Sequence, residues 1–271
     1  MTPSNPLHHA SGSTYRDTRP RRPALVLVAH GSRDPRALTT VTALAERVRE
    51  QRPDLVVRLG HIELNEPLLT DTLDTLAHEA AVLVPLLLGR GQHVKRDIPD
   101  AAADAVAVDT RVAAALGPHP LLADALHARL VQAGWPARAM SARERRRHAV
   151  VLAAAGSRDP ESAADTESAA ALLADRIGVP VVPAYAAPTA ACARTVPQAL
   201  DILAAQGRTR AAVASYFTAP GRFAAQSAAA APWLAAAPLG AHPALARLVL
   251  HRYDQARTTP APVRGRRLSG V

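Results

Sequence analysis

The stretch LVLVAHGSRDP, residues 25–35, joins a run of Leu and Val to His, Gly and Ser, and it returns as VVLAAAGSRDP at residues 150–160. A second pair of similar segments follows in the same order: LGPHPLLADALHARL at residues 116–130 and LGAHPALARLVLHRY at residues 239–253. The first pair is offset by 125 residues and the second by 123. Repetition at this scale indicates that the chain consists of two similar halves.

Within each half, short apolar runs alternate with segments whose apolar residues recur at helical spacing. ALVLVA at 24–29 is typical of a strand buried on both faces, and residues 36–51 have the periodicity of an amphipathic helix. Such alternation predicts parallel sheets with helices on both faces. We therefore expect an α/β fold of two three-layer αβα halves, each with a mainly four-stranded parallel sheet, related by a pseudo-twofold axis. The predicted strands are 24–29, 55–64, 81–88 and 112–117, then 149–154, 179–185, 211–216 and 234–238.

Composition places the chain among soluble globular proteins. Hydrophobic residues make up 48% of 271 residues, which is enough for a large core. The single cysteine, Cys192, excludes a disulfide framework and is typical of a reducing compartment. No apolar run reaches the roughly 18 residues of a membrane span, and the first residues lack the apolar centre of a signal peptide. These observations predict a cytoplasmic protein with no membrane partner.

The net charge of +9 raises the question of nucleic-acid binding. Residues 1–23, 138–147 and 257–271 carry +3, +4 and +4, which leaves −2 for the rest of the chain. A nucleic-acid-binding domain carries its basic face on the folded body, so we predict no nucleic-acid partner. The predicted organisation is a disordered basic leader (1–22), an N-terminal half (23–137), an Arg-rich linker (138–147), a C-terminal half (148–256) and a disordered basic tail (257–271).

Two histidines and a carboxylate fall where predicted strands of the first half end. His30 directly follows the first strand, Glu63 closes the second, and His93 follows the third. In open parallel sheets, ligands bind beyond the carboxyl ends of the strands, where the strand order reverses. Taken singly, a histidine at a strand end is more often a capping residue than a ligand. Together, two imidazoles and one carboxylate suit a first-row divalent metal.

Three other residues have structural interpretations. HGS differs from the Gly-x-Ser-x-Gly of a nucleophile elbow, so Ser32 is predicted to cap the following helix, and a hydrolase using Ser32 or His30 is disfavoured. His119 and His242 occupy the same position in the two copies of the repeat. This symmetry predicts a structural role for both, in the loop before the last helix of each half.

The words VAHGSRDP, IELNEP, PLLLGRGQHVKRDIP and LGPHPLL, in this order, resemble the sirohydrochlorin chelatases of the class II chelatase superfamily, in their long two-half form. The resemblance covers 24–133 strongly and 148–254 as a degenerate copy. It implies chelatase-like halves and a lyase that inserts Fe²⁺ or Co²⁺ into sirohydrochlorin, for sirohaem or cobalamin biosynthesis. The metal is then a substrate, and we expect no prosthetic group and a monomer with pseudo-dimeric halves.

The resemblance also implies roles for individual residues. His30 and His93 would be catalytic and would hold the metal together with Glu63, and His30 would accept protons. The substrate carries eight carboxylates, which nearby cations could meet through charge-assisted hydrogen bonds. The residues expected to bind it are Gly89, Arg90, Gly91, Gln92, Arg33 and Lys95.

The second copy lacks the reactive groups of the first. It aligns Ala155 with His30, Arg222 with His93 and, if two prolines are matched, Ala184 with Glu63. We therefore expect the second half to form the other wall of one cleft. The alternative is a non-catalytic tetrapyrrole- or metal-binding protein on the same scaffold. The sequence leaves the choice of iron, cobalt or nickel open.

Overall fold

The structure, a computed structural model, describes residues 22–259. The predicted leader, apart from Arg22, and the predicted tail from residue 260 onward lie outside the described residues. The first half contains β1 (Ala24–Ala29), α1 (Pro35–Gln51), β2 (Val57–His61), α2 (Leu69–Asp74), β3 (Ala80–Pro85), a π-helical turn (His93–Asp97), α3 (Ile98–Asp104), β4 (Asp109–Val112) and α4 (Pro120–Gln132). The second contains α5 (Ala142–Arg147), β5 (His148–Ala154), α6 (Pro160–Ile177), β6 (Val181–Tyr185), α7 (Val196–Ala205), β7 (Arg210–Ser215), α8 (Arg222–Ala229), β8 (Leu234–Ala235) and α9 (Pro243–Thr258).

Each half forms a four-stranded parallel sheet, in the orders β2-β1-β3-β4 and β6-β5-β7-β8. The predicted α/β fold with two parallel sheets is therefore confirmed. In the first sheet the chain runs outward from β1 to β2 and then returns to β3 on the other side of β1. This reversal leaves a crevice above β1 and β3, where ligands bind in folds of this kind.

Several strands are shorter than predicted: β2, β3 and β8 were expected at 55–64, 81–88 and 234–238. Three other boundaries also differ from the prediction. The fourth strand was expected at 112–117, but β4 ends at Val112, and the buried residues after it run along the sheet without extending the strand. Part of the predicted linker is the helix α5, which a capping box between Ser141 and Glu144 begins. Hydrogen bonds from Arg138 and Ser141 lower the pKa of Glu144 to about 2. Helix α9 continues through Thr258, past the expected start of the tail.

The side chains of the strands pack into three hydrophobic cores. One core contains residues of both halves, and each of the other two lies within a single half. In β1, Leu25 and Leu27 join a cluster that includes Val150 and Leu152 of β5, so one hydrophobic core runs through both halves. Val26 and Val28 face the opposite way, onto α2 and α3. The side chains alternate because successive residues of a strand point to opposite faces.

The last helix of each half crosses to the other half. Helix α9 packs against α1, β3 and β4 of the first half, and α4 packs against α6 and β7 of the second. The Tyr253 hydroxyl donates to the Pro23 carbonyl at 2.6 Å, and Arg52 pairs with Asp254 at 2.8 Å. In the other direction, Arg129 donates to the Leu239 carbonyl at 2.7 Å. We call this arrangement the helix exchange.

Within residues 22–259, no helix has the length and apolar character needed to cross a lipid bilayer.

His119 and His242 are the N-caps of the two exchanged helices, which confirms their predicted structural role. The imidazole of His119 accepts a hydrogen bond from the Leu121 backbone N–H, and that of His242 accepts one from Ala244, each at 3.1 Å. Only the neutral ring can accept. Burial, reinforced by neighbouring cations, lowers the pKa of both histidines.

This capping predicts a loss of stability in mild acid. The pKa is lowered in the folded state, so the caps contribute fully above the ordinary value of 6.5 and are lost as the pH falls below it, through the lowered values. We expect each cap to contribute about 1 kcal/mol, or roughly 2–4 °C in Tm. The measurement is Tm against pH. The double variant His119→Asn/His242→Asn, whose caps do not titrate, should have a flatter profile. Because burial also lowers the pKa of His127, a residual slope should remain, and an unchanged slope would contradict the assignment.

Candidate functional site

The turn after β1 fixes His30 next to Glu63. Gly31 has a φ of +100°, and a Cβ there would lie 1.8 Å from the Glu63 carbonyl oxygen, so only glycine fits. The Glu63 backbone N–H donates to the His30 carbonyl at 3.1 Å. This close approach leaves His30 Nδ1 at 3.5 Å from Glu63 Oε1.

The same turn corrects the role of Ser32. Asp34, rather than Ser32, is the N-cap of α1, and its carboxylate accepts from the Arg36 backbone N–H. The Ser32 hydroxyl instead accepts from the Asp34 N–H at 3.1 Å, and its own N–H donates to Asn65 Oδ1 at 2.7 Å. Ser32 therefore orders the loop that leads from His30 into α1.

His93 begins the π-helical turn, a feature often found at functional sites. The turn brings its Nδ1 to 2.5 Å from Asp97 Oδ2. Because a carboxylate accepts, Nδ1 carries the proton and Nε2 is the nitrogen left for a ligand. The rings of His30 and His93 meet edge to face with centroids 4.6 Å apart. The two predicted histidines, from different strand ends, are therefore in contact.

A cleft of about 940 Å³ lies between the halves, next to the two histidines. This volume falls within the range of about 300–1,000 Å³ that is usual for small-molecule sites. A smaller cavity of about 330 Å³ adjoins it, and His30 and Phe223 line both. The second half contributes to the wall of the main cleft Ser157, Arg158, Asp159, Glu161, Tyr185, Tyr216, Phe217, Thr218 and Phe223, among others.

The predicted substrate-binding residues divide into two groups. Gly89, Gly91, Gln92 and Lys95 line the main cleft. In contrast, Arg33 and Arg90 line neither of the two cavities next to the histidines, and neither does Glu63, which was predicted to hold the metal.

Two of the predicted cations are already paired with carboxylates of the second half. Lys95 Nζ lies 2.6 Å from Asp159 and 2.5 Å from Glu161. Arg90 pairs with the buried Asp165 at 2.7 Å and with Glu161 at 3.2 Å. These carboxylates raise the pKa of Lys95 and of Arg90 above their ordinary values. The charge that these cations offer to a polyanion is largely neutralised in this state.

Arg158 was missed by sequence reasoning, although the repeat marks it as the counterpart of Arg33. It is exposed and lines the main cleft, and the described part of the chain gives it no ion pair. It is thus a cation of the second half that is available to an anionic ligand.

Backbone hydrogen bonds show which positions of the two halves correspond. The Ala187 N–H donates to the Ala155 carbonyl at 2.8 Å, as Glu63 donates to His30. The alignment of Ala155 with His30 is therefore confirmed. The counterpart of Glu63 is Ala187 and not Ala184, which lies buried inside β6.

The alignment of Arg222 with His93 was also wrong. The Lys95 N–H donates to the Gly91 carbonyl, and the Ala225 N–H donates to that of Gly221. His93 therefore corresponds to Phe223, because each of them lies two residues after the equivalent glycine, Gly91 or Gly221. Arg222 lies one position earlier, with its guanidinium 4.8 Å from the Phe223 ring centroid. The second half thus presents an aromatic ring and a methyl group where the first presents two imidazoles.

Among residues 22–259, no three His, Cys, Asp or Glu side chains converge into a ready-made metal site. His30, His93 and Glu63 are close, but they form an open arrangement. An arrangement this open could hold a metal only weakly and reversibly.

The family model described as CbiX matches residues 24–133 and again residues 149–256. The sirohydrochlorin cobaltochelatase of Methanococcus aeolicus is 40% identical over 79 residues, which are 28% of this chain and 55% of that protein. The chloroplastic sirohydrochlorin ferrochelatase of Arabidopsis thaliana is 30% identical over 113 residues, 39% of this chain and 50% of that protein. The chain thus spans about half the length of these curated relatives.

Solved structures match over most of the chain. SirB from Bacillus subtilis, solved with Fe³⁺, superposes with a TM-score of 0.69 at 22% identity, covering 88% of this chain and 96% of that one. CbiX, described as the terminal enzyme for biosynthesis of siroheme in denitrifying bacteria, gives a TM-score of 0.63 at 20% identity, covering 86% and 99%. At this level of identity, the likeness shows a shared fold.

Proposed function

Because the chain belongs to the CbiX family in both of its halves, we propose that it inserts a divalent metal, Fe²⁺ or Co²⁺, into sirohydrochlorin, as a step toward sirohaem or cobalamin. The observation that carries this proposal is the contact between His30 and His93 beside a cleft of about 940 Å³. The relatives named for cobalt and for iron support both metals, and the open histidine pair suits either one.

The reaction exchanges two pyrrole protons of the macrocycle for one divalent ion. In our proposal, His93 binds the incoming metal through Nε2, since Asp97 holds Nδ1. His30 helps to hold the metal until it passes into the macrocycle. Its freed nitrogen then accepts one pyrrole proton and releases it to solvent before it accepts the second, while Glu63, at 3.5 Å, stabilises the positive charge that the ring gains each time. Two imidazoles bind the metal weakly enough to release it into the four nitrogens of the macrocycle.

The macrocycle would lie in the cleft between the halves. Phe223 and Ala155 offer an apolar surface on the wall formed by the second half, which suits the face of a tetrapyrrole. Arg158 is placed to meet a carboxylate of the substrate. Lys95 would do so only by exchanging its partners Asp159 and Glu161 for substrate carboxylates.

The pseudo-twofold arrangement supports a monomer as the working unit. The shared core already brings two chelatase-like halves together, so one chain supplies both walls of the cleft. We propose no prosthetic group, because the metal enters as substrate.

Absorbance spectroscopy under anaerobic conditions tests the proposed function. We expect the protein to accelerate the spectral conversion of sirohydrochlorin by Co²⁺ or Fe²⁺ over the spontaneous reaction, with repeated turnover. The controls omit the protein or add a chelator. Tight binding of sirohydrochlorin or Co²⁺ without accelerated conversion would support the non-catalytic alternative and overturn the chelatase.

A further inference from the structure

The loop that carries His93 into the site, residues 86–92, is held by side chains of the second half. The Thr218 hydroxyl donates to the Leu86 carbonyl at 3.0 Å, and the buried Tyr216 hydroxyl donates to the Leu88 carbonyl at 3.2 Å. The loop therefore depends on groups that follow β7, in the copy that lacks the reactive residues.

Asp165 makes the strongest of these contacts. Its side chain is only 3% exposed. The carboxylate accepts from the Arg90 backbone N–H at 2.8 Å, from Nη2 at 2.7 Å and from Nε at 3.1 Å. A buried carboxylate is costly unless it is paired and hydrogen-bonded, and here Arg90 of the other half supplies these partners. Bidentate pairing with a guanidinium fixes orientation as well as distance.

The anchor point is close to the reactive histidine. Arg90 lies three residues before His93, and between them the Gly91 carbonyl accepts from the Lys95 N–H, which ties the loop to the π-helical turn. A Cβ on Gly89 would lie 3.3 Å from the Ser162 hydroxyl of α6, so the loop already sits tightly against that helix. Movement of the loop away from α6 would shift His93 relative to His30.

The pseudo-twofold axis does not repeat the contact between Asp165 and Arg90. The repeat places Thr40 at the position of Asp165, and Pro220 at that of Arg90. The Thr40 hydroxyl donates within its own helix, to the Arg36 carbonyl at 2.7 Å. The ionic contact is thus present only where it holds the loop with the histidine.

We propose that Asp165 is a positioning residue that holds His93 against His30 from the opposite half. The proposal rests on the proposed function for its catalytic consequence, although its effect on the histidine pair is independent of turnover. Asp165 does not line the cleft, so it acts through Arg90 and the loop. Displacing a reacting group by about 1 Å can cost up to roughly 100-fold in rate.

The experiment compares full-length variants in insertion and in binding of Co²⁺ alone. We expect Asp165→Ala to lower kcat roughly 10- to 100-fold with a much smaller change in KM for sirohydrochlorin, and to weaken Co²⁺ binding about 10-fold in calorimetry. Asp165→Asn keeps an acceptor for the Arg90 N–H and should recover most of both. The matched control is Asp124→Ala. It breaks another ion pair between the halves, that of Asp124 on α4 with Arg176 on α6 at 2.9 Å, and should change neither quantity.

Tyr216→Phe removes one hydroxyl and provides a second test if Asp165→Ala does not fold. It should lower kcat and Co²⁺ affinity in the same direction by a smaller factor. Folded variants at Asp165 or Tyr216 with wild-type kcat and Co²⁺ affinity would overturn the proposal, as would a wild-type protein that does not bind Co²⁺. If the wild type binds Co²⁺ without inserting it, and Asp165→Ala weakens that binding, the positioning role stands and the chelatase function fails.

Discussion

We expect His30→Ala and His93→Ala each to lower the rate of metal insertion by roughly 100-fold or more, the range usual for losing a group that transfers protons. The two rings are in contact beside the cleft, and the described chain has no other cluster of three histidine, cysteine or carboxylate side chains that could hold a metal in their place. In neither variant can other side chains of the described chain take over the binding of the metal. The measurement is the initial rate of the absorbance change with Co²⁺ and sirohydrochlorin, together with Tm.

Both side chains are partly exposed, so their removal should leave the fold intact and Tm nearly unchanged. A matched control is His251→Ala, an exposed histidine of α9 that lines neither of the two cavities beside His30, and its rate should equal that of the wild type. Near-wild-type rates for both His30→Ala and His93→Ala would show that the site has been assigned to the wrong residues.

The second large effect concerns the isolated N-terminal half, residues 23–137. We expect it not to exist as a folded monomer, because removing α9 uncovers the inner face of its sheet. Leu245, Leu248, Val249 and Tyr253 are fully buried in the intact chain. At about 1.5–3 kcal/mol for each side chain, their burial matches the whole stability of a typical domain, about 5–15 kcal/mol.

Dimerisation would offer this fragment a way to fold. Helix α4 of one copy would cover the sheet of the other, and the pseudo-twofold axis would become a true one. Sedimentation and insertion rate should be measured together, and we expect poor activity in any monomeric fraction. The full-length chain under the same conditions is the control. A folded, fully active monomer of residues 23–137 would show that the second half is not a wall of the site.

The contact between His30 and His93 could be predicted from sequence because it follows from their places at the ends of two neighbouring strands. His30 and His93 each follow a buried apolar run, and the carboxyl ends of neighbouring parallel strands meet at one edge of the sheet. The alignment of the two halves, however, misplaced the counterpart of His93 in the second half. The offset between the halves is 125 residues at the first strands but 130 at the loop of His93. An alignment based on similar short sequence motifs was therefore displaced by one residue, and it matched His93 to Arg222 instead of Phe223.

The pairing of Arg90 and Lys95 could not be predicted in this way. Their partners Asp159, Glu161 and Asp165 lie at least 64 residues further along the chain, on a helix whose facing depends on how the halves dock. The sequence also could not predict that α4 and α9 each pack against the opposite half. An apolar helix face has the same periodicity whichever sheet it covers.

The helix exchange also constrains the order in which the chain can fold during synthesis. Helix α9 completes the inner layer of the first half, yet it is synthesised after all the other described helices and strands, more than a hundred residues after β4. Translation at about 5–20 residues per second leaves that half waiting for several seconds with part of its apolar face uncovered. The first half therefore cannot fold completely before the second half has been synthesised, and the two halves must reach their native structure together.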